Sequence, residues 1–167
     1  MSARITVQPL TAQGFAPFGD VLDVSGDADK IINQGLCGRY HDRAVLEFAE
    51  GRAGISLFKA EPRALPLVLD MMERHPEGSQ AFLPMSLEPF LVVVAPDADG
   101  APGQPIAFVT APGQGVNYHR GVWHGVLAPL AAPGLFAVVD RIGAGPNLQE
   151  HFFDHPYLIE GHDRAAG

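Results

Sequence analysis

Short apolar stretches recur along the chain, each bounded by glycine, proline or a polar turn residue. Eight of them, residues 4–8, 20–24, 54–60, 79–85, 90–95, 106–110, 122–127 and 136–140, are mostly rich in Val, Ile and Phe and predict strands. Fifteen prolines and nineteen glycines are spread over the whole length, which leaves no room for long helices. About eight short strands at this spacing predict an all-β fold, a two-sheet jelly-roll barrel with a few short helices.

Two places break the strand pattern. Thr11 can cap a single helical turn ending at Phe15, and Asn147 with Glu150 three residues on has the form of a capping box, which predicts a C-terminal helix. Residues 65–74 are ambiguous: Leu65, Leu69 and Met72 fit helical spacing, but Pro66 and Pro76 bracket the segment and favour a strand running into a turn. Residues 97–104 read as a surface hairpin loop, and the chain from about residue 161 as a flexible tail. No repeat or composition boundary divides residues 1–167, so one catalytic domain is expected.

Composition narrows the function classes. With 47% hydrophobic residues the chain can build a substantial core, and a formal charge of −8 with only two lysines, Lys30 and Lys59, excludes nucleic acid as an expected partner. The longest pure apolar run, residues 90–95, is too short to cross a bilayer as a helix, and the first residues lack the apolar centre of a signal peptide. Cys37 is the single cysteine, which rules out an intrachain disulfide and suits a reducing compartment. A cytoplasmic protein acting on a small molecule is the expectation.

Polar chemistry concentrates in two segments. In residues 73–80, Glu73 and His75 project to one face of an extended strand, and a turn through Pro76 and Gly78 swings Gln80 back towards them. In residues 113–124, Asn117, Tyr118, His119 and His124 surround a turn at Gly121, with Trp123 beside them to keep water out. Both segments are expected to converge on one site, with His75 facing His124. His151 and His155 have the i, i+4 spacing of a helical ligand pair, but Pro156 ends that turn, so these two and His162 read as solvated tail residues. Lys59 reads as an edge lysine with its charge in water, and Asp140 with Arg141 as a strand-end pair or as supports behind the site.

The first segment resembles the opening metal-site motif of the cupins, with Glu73, His75 and Gln80 at the ligand positions. The second resembles their closing motif, with His124 as the delivered histidine. Within the cupins the sequence is similar to the ureidoglycolate lyase family. Four stretches carry the similarity: Ile32-Asn-Gln-Gly35, Arg39-Tyr-His-Asp42, the run from Glu73 to Pro84, and the run from Gly115 to His124, followed by Asp140-Arg141.

The resemblance implies cleavage of (S)-ureidoglycolate to glyoxylate and urea, the step that salvages purine nitrogen in allantoin degradation. It implies a cupin barrel, a homodimer and no organic cofactor, with Glu73, His75, Gln80 and His124 expected to hold either a divalent metal, nickel by family analogy, or the substrate's α-hydroxy-carboxylate directly. Zinc or manganese would suit such a mixed nitrogen and oxygen set equally well. On this view His75, His119, His124 and Tyr118 are the expected catalytic residues, with His119 or Tyr118 as the acid for urea departure. Arg39 is expected to clamp the substrate carboxylate, with Gln80 and either Asn33 or Asn117 as further contacts; for Arg39 a surface pair with Asp42 competes. Two other readings keep the same site: an amidohydrolase releasing ammonia, and a non-catalytic cupin that binds a small acid.

Overall fold

The computed structural model describes residues 2–161, so the tail beyond them, His162 included, lies outside the described residues. In chain order come β1 (Arg4–Thr6), β2 (Gln8–Pro9), the single helical turn α1 (Ala12–Phe15), β3 (Gly19–Leu22), β4 (Lys30–Ile32), β5 (Cys37–Arg39), β6 (Arg52–Lys59) and β7 (Leu67–Arg74). They are followed by β8 (Gln80–Pro84), β9 (Phe90–Ala95), β10 (Asp97–Ala98), β11 (Ala101–Pro102), β12 (Ile106–Val109), β13 (Gly115–Tyr118) and β14 (Trp123–His124). The last strands are β15 (Ala128–Pro129), β16 (Leu135–Ile142) and β17 (Gln149–Glu160). The larger sheet runs β1-β17-β7-β14-β9-β12-β2, with β15 also on β9, and the smaller runs β3-β13-β8-β16-β6. Their antiparallel ladders face each other in the arrangement expected of a cupin jelly roll.

Strand β9 explains why the fold closes. Its six residues are buried on both faces, which is why it reads as a continuous apolar run and not as an alternation. Phe90, Val92 and Val94 enter the core between the sheets with Phe15, Phe82, Phe108, Val116, Phe136 and Val138. Leu91, Val93 and Ala95 turn to the other side, where Ile5, Val7, Leu69, Met72, Trp123 and Ile159 cover the larger sheet. Alternation along β13 is equally consequential: Val116 and Tyr118 point into the inter-sheet core, so Asn117 points out of the smaller sheet.

Several expected elements change form. Thr11 does cap α1, its side chain accepting from the Gly14 N–H, and residues 67–74 are indeed a strand. The expected C-terminal helix is instead the twelve-residue strand β17, paired with both β7 and β1. Asn147 cannot act as a helix cap because its side-chain oxygen accepts from the Glu77 N–H, 2.7 Å away. Pairing with β7 on one side and β1 on the other outweighs the local capping signal. Pro156 is absorbed by a register shift between Phe152 and Tyr157. The expected strand at 122–127 shortens to Trp123–His124, because Gly121, at φ +76°, sets a turn directly before it. The expected 4–8 strand divides into β1, parallel to β17, and β2, parallel to β12.

Candidate active site

Strands β7 and β14 form the floor of the site. Glu73 and His124 are direct cross-strand partners, and the chain leaving β7 carries His75 back over them, held by the Gly121 N–H on the His75 carbonyl at 3.0 Å. One ligand-type atom from each of Glu73, His75 and His124 lies within 4.8 Å of the others. The two imidazole centroids are 5.2 Å apart. Tyr118 lies flat against His124, at 4.3 Å and 6° between ring planes.

Hydrogen bonding sets the tautomer of each histidine. His75 Nδ1 is 2.7 Å from the Asn147 carbonyl oxygen, and His124 Nδ1 is 2.9 Å from that of Gly125. A carbonyl can only accept, so both Nδ1 atoms carry a hydrogen, and Nε2 is the atom of each ring left to present a lone pair to a ligand. Among the described residues those two Nε2 atoms are buried without a hydrogen-bond partner, as is Gln80 Oε1. Gln80 is the cross-strand neighbour of Tyr118 and so faces the same interior. Its amide nitrogen donates to Asp140 at 3.2 Å, which leaves the carbonyl oxygen free.

The electrostatics match this inventory. Burial, then the charge of His75, pushes His124 down from its ordinary 6.5 to about 3, so the ring stays neutral. Burial raises Glu73 above the ordinary carboxylate range; His75 offsets this in part and Glu150 adds to it. Burial also raises Tyr118, which remains a neutral phenol. Unpartnered buried polar atoms in a desolvated space are costly, and two imidazole nitrogens, a carboxylate and an amide oxygen form a donor set that suits a divalent cation. The residues therefore fit a metal, with Glu73, His75 and His124 as the core.

The structure brings Glu73, His75, Gln80, Tyr118 and His124 together, and leaves the other expected residues elsewhere. His119 turns to Asp20, Nε2 to Oδ2 at 3.2 Å, and lines a surface cleft of about 340 Å³ with Asp20, Asp42 and Arg43. Asn117, on the outward side of β13, donates to the same Asp20 oxygen at 2.9 Å and to the Val45 carbonyl at 3.0 Å. Asn33 and Arg39 lie on the β4–β5 hairpin, where Arg39 borders a cleft with Asp29, Lys30 and His41. Arg43, not Arg39, makes the nearby ion pair, with Asp29 at 3.0 Å.

Trp123 faces away from His124 and does not wall off the site. It packs under the Arg74 guanidinium at 4.5 Å and donates to Asp97 at 2.9 Å. His151 packs edge-on against Trp123 and is half-buried instead of solvated, while His155 is exposed. Asp140 and Arg141 part company: Asp140 supports Gln80, whereas Arg141 donates to the carbonyls of Glu50 and Ala144.

Residues beyond the recognised motifs also build the site. Asn147 orients His75, and β17 brings Glu150 beside Glu73.

A family model described as ureidoglycolate lyase matches residues 2–160. The chain belongs to the ureidoglycolate lyase family. Among curated relatives, the ureidoglycolate lyase of Rhodobacter capsulatus is 65% identical over 159 residues, covering 95% of this chain and 99% of that protein. Ureidoglycolate lyase 2 of Rhizobium meliloti is 54% identical over 93% of this chain and 97% of its own length. The Mesorhizobium japonicum ureidoglycolate lyase is 55% identical with the same coverage. Matches of this length span both sheets and the C-terminal strand, so membership of the ureidoglycolate lyase family rests on the whole barrel and not on the two polar segments alone.

Proposed function

We propose that this chain is a ureidoglycolate lyase that cleaves (S)-ureidoglycolate to glyoxylate and urea in allantoin degradation. The observation that carries this reading is the convergence of two buried, unpartnered imidazole lone pairs with a desolvated carboxylate, in a chain so similar to lyases of this name. Ureidoglycolate is a carbinolamine: as its hydroxyl loses a proton, the C–N bond breaks, a carbonyl forms, and the departing nitrogen needs one proton. Proton loss and gain balance, so a single shuttle suffices.

Glu73 fits that shuttle as the carboxylate of the cluster, which burial makes a better proton acceptor than an exposed one. Tyr118 holds the plane of His124 by stacking, and Asp140 holds Gln80 with its carbonyl towards the interior. His75, His124, Glu73 and the Gln80 carbonyl would hold a divalent ion, nickel by family analogy. Bound there, the ion would supply Lewis acidity to an α-hydroxy-carboxylate. His119, Asn117, Asn33 and Arg39 have no part in this scheme within one chain.

The working form is proposed to be a cytoplasmic homodimer. Ile55, Leu57 and Leu83, on the outward face of the smaller sheet, and Ile31 and Leu36 on the β4–β5 hairpin are exposed apolar side chains that a second copy would cover. Purified protein given racemic ureidoglycolate should release glyoxylate and urea in equal amounts from one enantiomer. Ammonia in place of urea would mean amidohydrolysis, and stoichiometric binding without turnover would overturn the enzymatic reading.

A further inference from the structure

Three strands carry a row of side chains across the floor of the site. His124 on β14 pairs with Glu73 on β7, and Glu73 pairs with Glu150 on β17. Cross-strand partners share a face of the sheet, and contacts on the opposite face confirm the assignment. Gln149 accepts from Arg74 at 2.7 Å, Arg74 covers Trp123, and Trp123 meets His151, all on the outward side. Glu150 therefore points to the same side as Glu73 and His124. Burial decreases along the row, with His124 buried, Glu73 half-buried and Glu150 exposed, so the row climbs from the base of the site to its rim.

Stability does not account for Glu150 at this position. Like charges directly opposite each other on neighbouring strands are unfavourable, and Glu150 stands directly opposite Glu73. Its side chain has no hydrogen bond or ion pair among the described residues. The arginines close in sequence to the site residues are occupied elsewhere: Arg74 with Asp97 and Gln149, Arg120 with the Pro76 carbonyl, and Arg141 with the carbonyls of Glu50 and Ala144. The rim thus offers a free, acceptor-only carboxylate next to the reacting centre.

We propose that Glu150 is a specificity-determining residue that accepts the N–H groups of the substrate's ureido end and so directs the leaving nitrogen towards Glu73. The assignment rests on the lyase reading above, because it presumes a substrate with an N–H-rich end and an acid end. A planar ureido group presents two N–H donors side by side, which match the two oxygens of one carboxylate, and such charge-assisted pairs are short and directional. The acid end of the substrate is repelled by Glu150 and is left to the deeper part of the site, so one residue sets both selectivity and orientation.

The test uses the metal-loaded full chain, with urea and glyoxylate titrated separately by NMR into wild type, Glu150→Gln and Glu150→Ala. Loss of a hydrogen bond to a charged group predicts urea binding about tenfold weaker in Glu150→Ala, with a smaller loss in Glu150→Gln, which keeps one acceptor. Glyoxylate binding should stay within about twofold or tighten, since a like charge has gone. Metal content should be unchanged in both variants. Equal weakening of both ligands, no change for urea, wild type that binds no urea, or loss of metal from the Gln variant would each overturn the proposal. Turnover of ureidoglycolate by wild type is read in parallel. Its absence would remove the lyase reading, while the titrations would still decide whether Glu150 discriminates urea from glyoxylate.

Discussion

His124 and His119 lie five residues apart, and the structure gives them opposite surroundings. His124 is buried, neutral and stacked on Tyr118, with its free nitrogen aimed at His75 and Glu73. His119 is about 40% exposed in its side chain and rests against Asp20 on the outward side of the smaller sheet. Tyr118 and Asn117 divide in the same way, one facing in and the other out. A dense polar segment is therefore two separate structures: an inward half that can do chemistry and an outward half that ties β13 to β3 and to the Val45 segment. What separates them is strand alternation and one turn at Gly121.

Ways to break that comparison begin with its strongest prediction. His124→Ala should lower glyoxylate release by well over about a hundredfold, beyond the usual effect of losing a supporting contact, and should lower metal content in the purified protein. Circular dichroism would confirm the fold. If that variant turns over normally, the inward half is not the site. Next in size is metal removal: verified metal-free protein should be inactive and regain activity on adding nickel. A bound ion at a hundred times its Kd should also raise unfolding free energy by about 2.7 kcal/mol, measurable as a higher Tm.

The pH dependence of the metal-free protein sharpens the contrast. His124 binds a proton less readily folded than unfolded, so the unfolded chain gains protons first. Stability should fall as pH drops from 6.5 towards about 3, and the loss should level off below that. Glu73 acts in the other sense, because its folded form holds a proton more readily; its contribution weakens stability as pH rises above 4.5. Denaturant melts across this range, repeated on His124→Gln, should show the rise of stability with pH contributed by His124 lost in the variant.

The outward half predicts effects on stability and not on chemistry. Asn117→Ala removes a fully buried side chain and its two hydrogen bonds, to Asp20 and to the Val45 carbonyl, and should cost about 1–3 kcal/mol, while activity per folded molecule stays within about twofold. His119→Ala, at a half-exposed pair, should cost less than about 1 kcal/mol and leave turnover nearly intact. A large drop in turnover for His119→Ala, with metal content unchanged, would return this histidine to the reaction.

Much of the fold was legible because burial imposes local patterns. The apolar run Phe90–Ala95, the glycine and proline punctuation and the Thr11 cap each depend on neighbours in sequence, and each appears where expected. Glu73, His75 and Gln80 were also legible as a unit, since a strand and a tight turn suffice to bring them near one another. Asn147 and Glu150 were not: their roles come from β17 lying beside β7, a pairing of residues more than seventy positions apart that no local pattern encodes.

The order of residues determined an all-β chain, a family, and a short set of groups able to bind metal or move protons. Tertiary structure alone decided which of them meet. A side chain's face is fixed by the register and twist of its strand against distant partners, and a ring nitrogen's role by which carbonyl lies beneath it. The Asn147 and Gly125 carbonyls take the Nδ1 side of His75 and His124 and leave Nε2 facing inward, and Asp20 holds His119 on the outward side.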